Sequence, residues 1–337
     1  MKSVKYSILA LFLLSDLAAF NYENPVDYPL MGDWEGKWIN PTKGHEKSNP
    51  NMAAQLLPIN GGTHYRVVIL PELYNRSAPY LNIVLPATPE RIVVKEGDWN
   101  AIFEGREIRG SSKLHGDLTE FVLKKIPLNS PTVGSKAPEG AQVLFDGSNY
   151  DAWEHGANKP VTWKIVDNAM QVDPTFHIKE NKEKGLGGSI QTKGEFGSMR
   201  FHLEFRYPVE ATKSGQGRGN SGLILSGIGE IQILNSYTTP NYWDECGSIY
   251  KRVPAQVDAA GPPLEWQAYD VTLEMPKEGS DMAIMTVLLN GKILHHKMDI
   301  KATSKKTRIN LQDHINPIQF RNIWILESKV TAHPPKP

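Results

Sequence analysis

The segment Met285–Met298, MTVLLNGKILHHKM, places two apolar-rich runs on either side of Asn290-Gly291. Asn-Gly accepts the positive φ angles of a two-residue type I′ turn, so the segment is predicted to be a β-hairpin. Upstream, Phe201–Tyr207 (FHLEFRY) alternates without a break. Phe201, Leu203, Phe205 and Tyr207 share one strand face, and His202, Glu204 and Arg206 share the other. No stretch of the second half carries a long helical period, so an all-β sandwich is predicted there.

The region 20–126 reads as a small antiparallel β domain, a barrel or a sandwich. Its expected strands are 64–70, 81–85, 91–95 and 118–123, with Gly61-Gly62, Gly97-Asp98, Gly105 and Gly116-Asp117 between or near them. Residues 52–57 are the one stretch here expected to form a helical turn. Segment 127–140 carries Pro127, Pro131, Gly134, Pro138 and Gly140, and its composition suits an extended connection. The second domain then covers 141–328, and 329–337 is a tail.

At the start, Lys2 and Lys5 flank an apolar run from Tyr6 to Leu14, followed by Ala18 and Ala19. This is the pattern of a secretory signal peptide over residues 1–19, too short to span a bilayer. Export to the periplasm or the extracellular space is expected, with no transmembrane segment after cleavage. The 37 basic and 37 acidic residues balance, which argues against nucleic-acid or anionic-membrane partners and favours an uncharged ligand such as a glycan. The single cysteine, Cys246, excludes an intrachain disulfide and reads as a small packed residue rather than a nucleophile.

The richest stretch for chemistry is Gly219–Trp243, GNSGLILSGIGEIQILNSYTTPNYW. On an extended strand Glu230 and Gln232 point to one side while Ile231 and Ile233 point to the other. An aromatic loop with Tyr237, Tyr242 and Trp243 follows. Flat rings beside a carboxylate and an amide suit a sugar, which offers C–H faces for stacking and hydroxyls for hydrogen bonds. Near the end, Gln312 and His314 share a face of INLQDHI, and Asn220 either holds the turn before its strand or contacts a ligand. His295 and His296 are adjacent, so they point to opposite faces and cannot chelate one ion together.

A longer set of motifs runs through the second domain in order. It comprises Leu144-Phe145-Asp146-Gly147, Trp153, Trp163, Phe201 to Arg206, Asn220-Ser221-Gly222, Glu230 to Ile233, Gly247-Ser248-Ile249-Tyr250, Glu265-Trp266, Asn290-Gly291, Leu311 to His314 and Phe320-Arg321-Asn322-Ile323. Together these closely resemble the 3-keto-disaccharide hydrolase domain family, over about residues 143–326. The resemblance implies a concanavalin A-like jelly-roll sandwich and action on oxidised glycosides, usually in the periplasm or outside the cell. Similar proteins carry an Asp soon after the Glu-x-Gln strand, where this chain has Asn235. The region before residue 140 lies outside the resemblance.

A 3-keto sugar needs no carboxylate pair of the ordinary glycosidase kind. Its ketone acidifies the C2 proton, so one base can form an enolate that expels the C1 substituent. Glu230 or His314 is the expected base, with Arg206 or a divalent metal ion as electrophile and Glu204 as a further acid. Asn220, Gln232, Tyr242, Trp243 and Gln312 are the expected substrate-binding residues. His202, Glu204, Arg206, Glu230, Gln232 and His314 are expected to converge. The alternatives are a noncatalytic carbohydrate-binding module and a surface protein.

Overall fold

The computed structural model describes residues 27–328, apart from 43, 45, 46, 115, 174–182, 184–186, 240 and 241. The signal-like stretch 1–19 and the tail 329–337 lie outside the described residues. Within them the chain is nearly all β, and no helix is long and apolar enough to cross a membrane.

The first strands are β1 (Gly32–Ile39), β2 (Asn51–Ile59), β3 (His64–Leu70), β4 (Leu81–Thr88), β5 (Arg91–Glu96), β6 (Trp99–Glu104), β7 (Glu107–Ser112) and β8 (Thr119–Lys125). They form a closed antiparallel barrel in chain order, sealed by β8 against β1. Alternation puts Trp34, Trp38, Phe103 and Phe121 inside, where Trp38 meets Phe121 edge-on at 5.5 Å. Closure needs Gly36, because a Cβ there would lie 1.9 Å from the Val122 carbonyl oxygen. The helical turn expected at 52–57 is instead the middle of β2. Both faces of β2 are covered, so packing overrides the helix preference of Met52, Ala53 and Ala54.

The second half supplies β9 (Gln142–Phe145), β10 (Trp153–His155), β11 (Lys164–Val166), β12 (Ala169–Gln171), β13 (Ile190–Thr192), β14 (Met199–Arg206), β15 (Ser221–Leu225) and β16 (Gly229–Ile233). Then come β17 (Gln267–Glu274), β18 (Met282–Leu289), β19 (Lys292–Lys301), β20 (Ile309–Leu311) and β21 (Gln319–Glu327). One sheet has the order β10-β13-β20-β15-β16; the other runs β11-β12-β21-β14-β17-β18-β19, with β9 also paired to β21. The core between them takes Phe201, Leu203 and Phe205 from β14, Leu223 and Leu225 from β15, Ile231 and Ile233 from β16, and Ile309 and Leu311 from β20. The β18–β19 hairpin turns at Asn290 (φ 51) and Gly291 (φ 75), as the dipeptide dictates.

Segment 127–140 does not hang free between the two bodies. It is fastened to the outer face of the larger sheet by polar bonds: Gly134 N–H donates to Glu204 (2.6 Å), Thr132 Oγ1 to Asp270 (2.7 Å), and Asn322 Nδ2 to the Ser135 carbonyl (2.9 Å). On the other side Tyr237, in the loop after β16, donates to Asp33 of the barrel at 2.8 Å. Arg76 of the barrel pairs with buried Glu245 and also donates to the Ala255 carbonyl at 3.0 Å.

Burial pushes Asp33 up to about 6, against the hydrogen bonds of Tyr74, Tyr237 and Gln55. Its folded pKa lies above the ordinary value of 3.8, so its stabilising effect is present below about pH 4 and is lost as pH rises through 6. The loss is at most about 3 kcal/mol. Asp258, pushed up to about 7 by burial and then by Glu245, acts in the same direction. The melting temperature is therefore expected to rise as pH falls from 7 to 5, with a smaller rise in Asp33→Asn. Equal slopes in the two proteins would remove Asp33 from this effect.

Candidate functional site

The outer face of the smaller sheet carries polar side chains in two rows fixed by strand register. Glu154 on β10 pairs with Gln191 on β13, Gln191 with Asn310 on β20, Asn310 with Ile224 on β15, and Ile224 with Glu230 on β16. One step along, Gln312 N–H bonds to the Gly222 carbonyl, and Gly222 pairs with Gln232. The apolar partners of these residues, among them Leu223, Ile231 and Leu311, fill the core on the opposite face. The alternation read from the sequence thus presents Glu230, Gln232 and Gln312 together.

Gly222 shapes the centre of this face. The Glu230 carboxylate folds over it, so a Cβ at Gly222 would lie 2.2 Å from Glu230 Oε1. Burial alone raises the Glu230 carboxyl above the ordinary Glu range, with no charge to offset it. A half-buried carboxylate without an ion-pair partner is better suited to taking a proton than one tied to arginine. Gln312 Oε1 and His314 Nδ1, two residues apart, are buried and have no hydrogen-bond partner among the described residues.

Gln232 and Asn220 converge on Gln216, a residue the sequence reading passed over. Gln232 Nε2 donates to Gln216 Oε1 at 3.1 Å, Asn220 Nδ2 donates to the Gln216 carbonyl at 2.7 Å, and Gln216 Nε2 donates to the Asp244 carbonyl at 3.0 Å. Gln232 Oε1 is taken by the N–H of Ile233. Both predicted binding residues therefore hold the 215–217 turn and the 244 segment against the sheet. Gln216 sits in GQGRG, where no periodicity marks it; its one signal was a long amide side chain among glycines.

The expected convergence fails for His202, Glu204 and Arg206, which lie on the outer face of the other sheet. Burial raises the Glu204 carboxyl, but hydrogen bonds from His202, Asn322, the Gly134 N–H and Arg321 outweigh that and hold it at about 2. The bonds from Arg321 Nε and Asn322 Nδ2 are both 2.7 Å. Arg206 donates to Gln319 at 2.6 Å and stacks 4.7 Å from the Trp266 ring, whose centroid is 4.0 Å from Arg321. Glu204 is thus corrected from a catalytic candidate to a member of a packed polar network beneath segment 132–135, and Arg206 to a side chain held by Gln319 and Trp266 on the same sheet. Alternation gave each strand its two faces correctly, but it carries no information about which sheet a strand joins.

The two loop aromatics also part company. Tyr242 and Trp243 are both 55% exposed, but Tyr242 turns towards the barrel, with the Arg76 guanidinium 4.5 Å from its ring centroid. The Trp243 carbonyl accepts from Lys251 N–H at 2.7 Å, next to Tyr250, whose N–H donates to the Glu230 carbonyl at 3.0 Å. Only Trp243 is thereby tied to the Glu230 strand. Cys246 is buried beside the Tyr269 hydroxyl (3.4 Å), and burial pushes its thiol up to about 12, far from nucleophilic range. Among the described residues no three His, Cys, Asp or Glu side chains gather in a metal-holding group. Glu230 has amide neighbours and Glu154 at the far end of the row is paired with Arg308, which is too small an anionic donor set for a resident divalent ion.

Comparison with known proteins agrees with this fold. A solved structure from Parabacteroides distasonis ATCC 8503, described as a candidate glycosyl hydrolase, shares 33% identity and a TM-score of 0.51 over 57% of this chain and 86% of its own. Two further candidate glycosyl hydrolases from the same organism show 17% identity with a TM-score of 0.42 (56% of this chain, 94% of theirs) and 21% identity with 0.39 (56% and 99%). No curated protein matches the chain. The model of the 3-keto-alpha-glucoside-1,2-lyase-like domain matches residues 140–326, more than half of the chain, and the chain belongs to that family.

Proposed function

We propose that the sandwich is an exported enzyme that cleaves 3-keto-glycosides by β-elimination, with Glu230 as the base. The observation that carries this reading is the Glu230 carboxylate, raised by burial and laid over Gly222, whereas Glu154 at the other end of its row is held by Arg308 at 3.2 Å. The family match supports a substrate whose C3 is a ketone. Glu230 takes the proton from C2, the electron pair shifts towards the C3 oxygen as an enolate, and the enolate expels the C1 oxygen of the aglycone. Gln312 stands across Gly222 from Gln232 on this face, and in this reading its amide N–H groups donate to the enolate oxygen. The proton that Glu230 has taken passes to the leaving oxygen, directly or through water, which restores the carboxylate and leaves an unsaturated keto sugar to which water can add. The Gln216 network keeps the rim in register with the strand bearing the base.

The test is aglycone release from a chromogenic 3-keto-glucoside and from the matching ordinary glucoside. Release from the 3-keto compound alone is expected, because without the ketone the C2 proton is too weakly acidic for a carboxylate. Equal turnover of both would refute elimination, and saturable sugar binding without turnover of either would leave a binding module.

Gly222→Ala gives a sharper local check. The new methyl occupies the place of the Glu230 carboxylate, whose flexible end can swing away. kcat should fall roughly 10- to 100-fold with little change in melting temperature, since a displacement near 1 Å can cost about that much. Unchanged kcat would mean that the carboxylate position over Gly222 is irrelevant to turnover.

A further inference from the structure

A cleft of about 460 Å³ opens between the barrel and the loop that follows β16, away from the Glu230 row. Gln55, Ser77 and Asn82 line it from the barrel, and Thr238, Thr239 and Tyr242 line it from the sandwich. We propose that this cleft is a second carbohydrate-binding site, which seats one unit of a neutral glycan against the open face of Tyr242.

Three observations support it independently of any 3-keto chemistry. Tyr242 is held from one side by the Arg76 guanidinium at 4.5 Å, and Arg76 is itself fixed by Glu245 and the Ala255 carbonyl. The ring is nevertheless 55% exposed, so it is a rigid aromatic plate with surface to spare, as stacking on a sugar ring requires. Thr238 is a β-branched residue at φ 66, a conformation such residues rarely hold without functional reason, and its buried Oγ1 has no hydrogen-bond partner among the described residues. The amide and hydroxyl groups of Gln55, Asn75, Ser77, Asn82 and Thr239 in the lining match sugar hydroxyls, beside Arg66, Asp258 and a few apolar side chains. Two guanidiniums line the cleft: Arg76 is paired with Glu245, and Arg66 donates to Asn82 Oδ1 at 2.9 Å, so both are engaged with the protein and can also donate to neutral sugar hydroxyls.

The test uses the full chain with cellotetraose and maltotetraose as probes, and a uronate tetrasaccharide for comparison, by isothermal titration. Saturable binding of a neutral probe is expected, unaffected by Glu230→Gln. Tyr242→Ala should weaken it roughly fivefold or more. Thr238→Gly should also weaken binding while raising the melting temperature, because glycine relieves the positive φ and removes the hydroxyl. A purely structural Thr238 would move only the melting temperature. The proposal is overturned if neither neutral probe binds, if both variants bind as tightly as the wild-type protein, or if only the uronate binds. Turnover of a small 3-keto-glucoside, measured in the same preparations, reports on the catalytic reading separately.

Discussion

Glu230→Gln is expected to lower kcat on a 3-keto-glucoside by roughly 10² to 10⁴-fold, the usual worth of a positioned general base. The amide keeps the shape of the side chain over Gly222, and no ion pair is broken, so the fold and melting temperature should be unchanged. The wild-type rate should fall on the acid side as Glu230 becomes protonated. Because burial raises that carboxyl, the acid limb should lie above the ordinary Glu pKa of 4.5. In Glu230→Gln the limb should vanish along with most of the activity. A variant that retains wild-type kcat would transfer the base to His314, the one remaining sequence candidate near the Gln312 end of the row.

Glu204→Ala should be costly in a different way. The substitution strands Arg321, Asn322 and the Gly134 N–H, all of which converge on a carboxylate whose side chain is 1% exposed. Removing one member of such a buried set costs about 3–5 kcal/mol, which for a domain of this size lowers the melting temperature by roughly 10 °C. Turnover per folded molecule should hold. Glu204 also sets an acid limit on stability: its folded pKa lies below 4.5, so its contribution is present above that value and is lost as pH falls through about 2. Asp33 favours the acid side and Glu204 opposes it, which places the stability maximum near pH 4–5. A stable Glu204→Ala protein with lost turnover would restore Glu204 to the chemistry.

Much of the architecture was legible in local pattern. Asn290-Gly291 specified its hairpin because Asn-Gly readily takes the two positive φ angles of a type I′ loop, and Phe201–Tyr207 sorted itself into core and outer faces by alternation. Glu230, Gln232 and Gln312 could be placed on common faces by the same rule. What alternation could not supply was sheet membership: β14 and β16 both turn acids outward, but from opposite sheets of the sandwich. Met52–Leu57 misled because its alanines and leucines favour helix in isolation, whereas barrel closure buries them on both faces. Gln216 and Arg76 were invisible because each acts through partners far along the chain, Asp244 for the one and Glu245 for the other. Segment 127–140 has few apolar side chains, and its attachment runs through backbone and hydroxyl groups that composition does not reveal.

The most direct measurement of the central claim follows the C2 hydrogen. A 3-keto-glucoside carrying deuterium at C2 would be cleaved by the wild-type protein in ordinary water, with unreacted substrate analysed alongside by mass spectrometry. If Glu230 removes the C2 proton in the bond-breaking step, the released sugar loses the label, cleavage shows a normal primary isotope effect when proton removal limits the rate, and Glu230→Gln abolishes label loss together with aglycone release. A released sugar that keeps its C2 deuterium would contradict elimination and mean that the glycosidic bond is broken by direct displacement at C1.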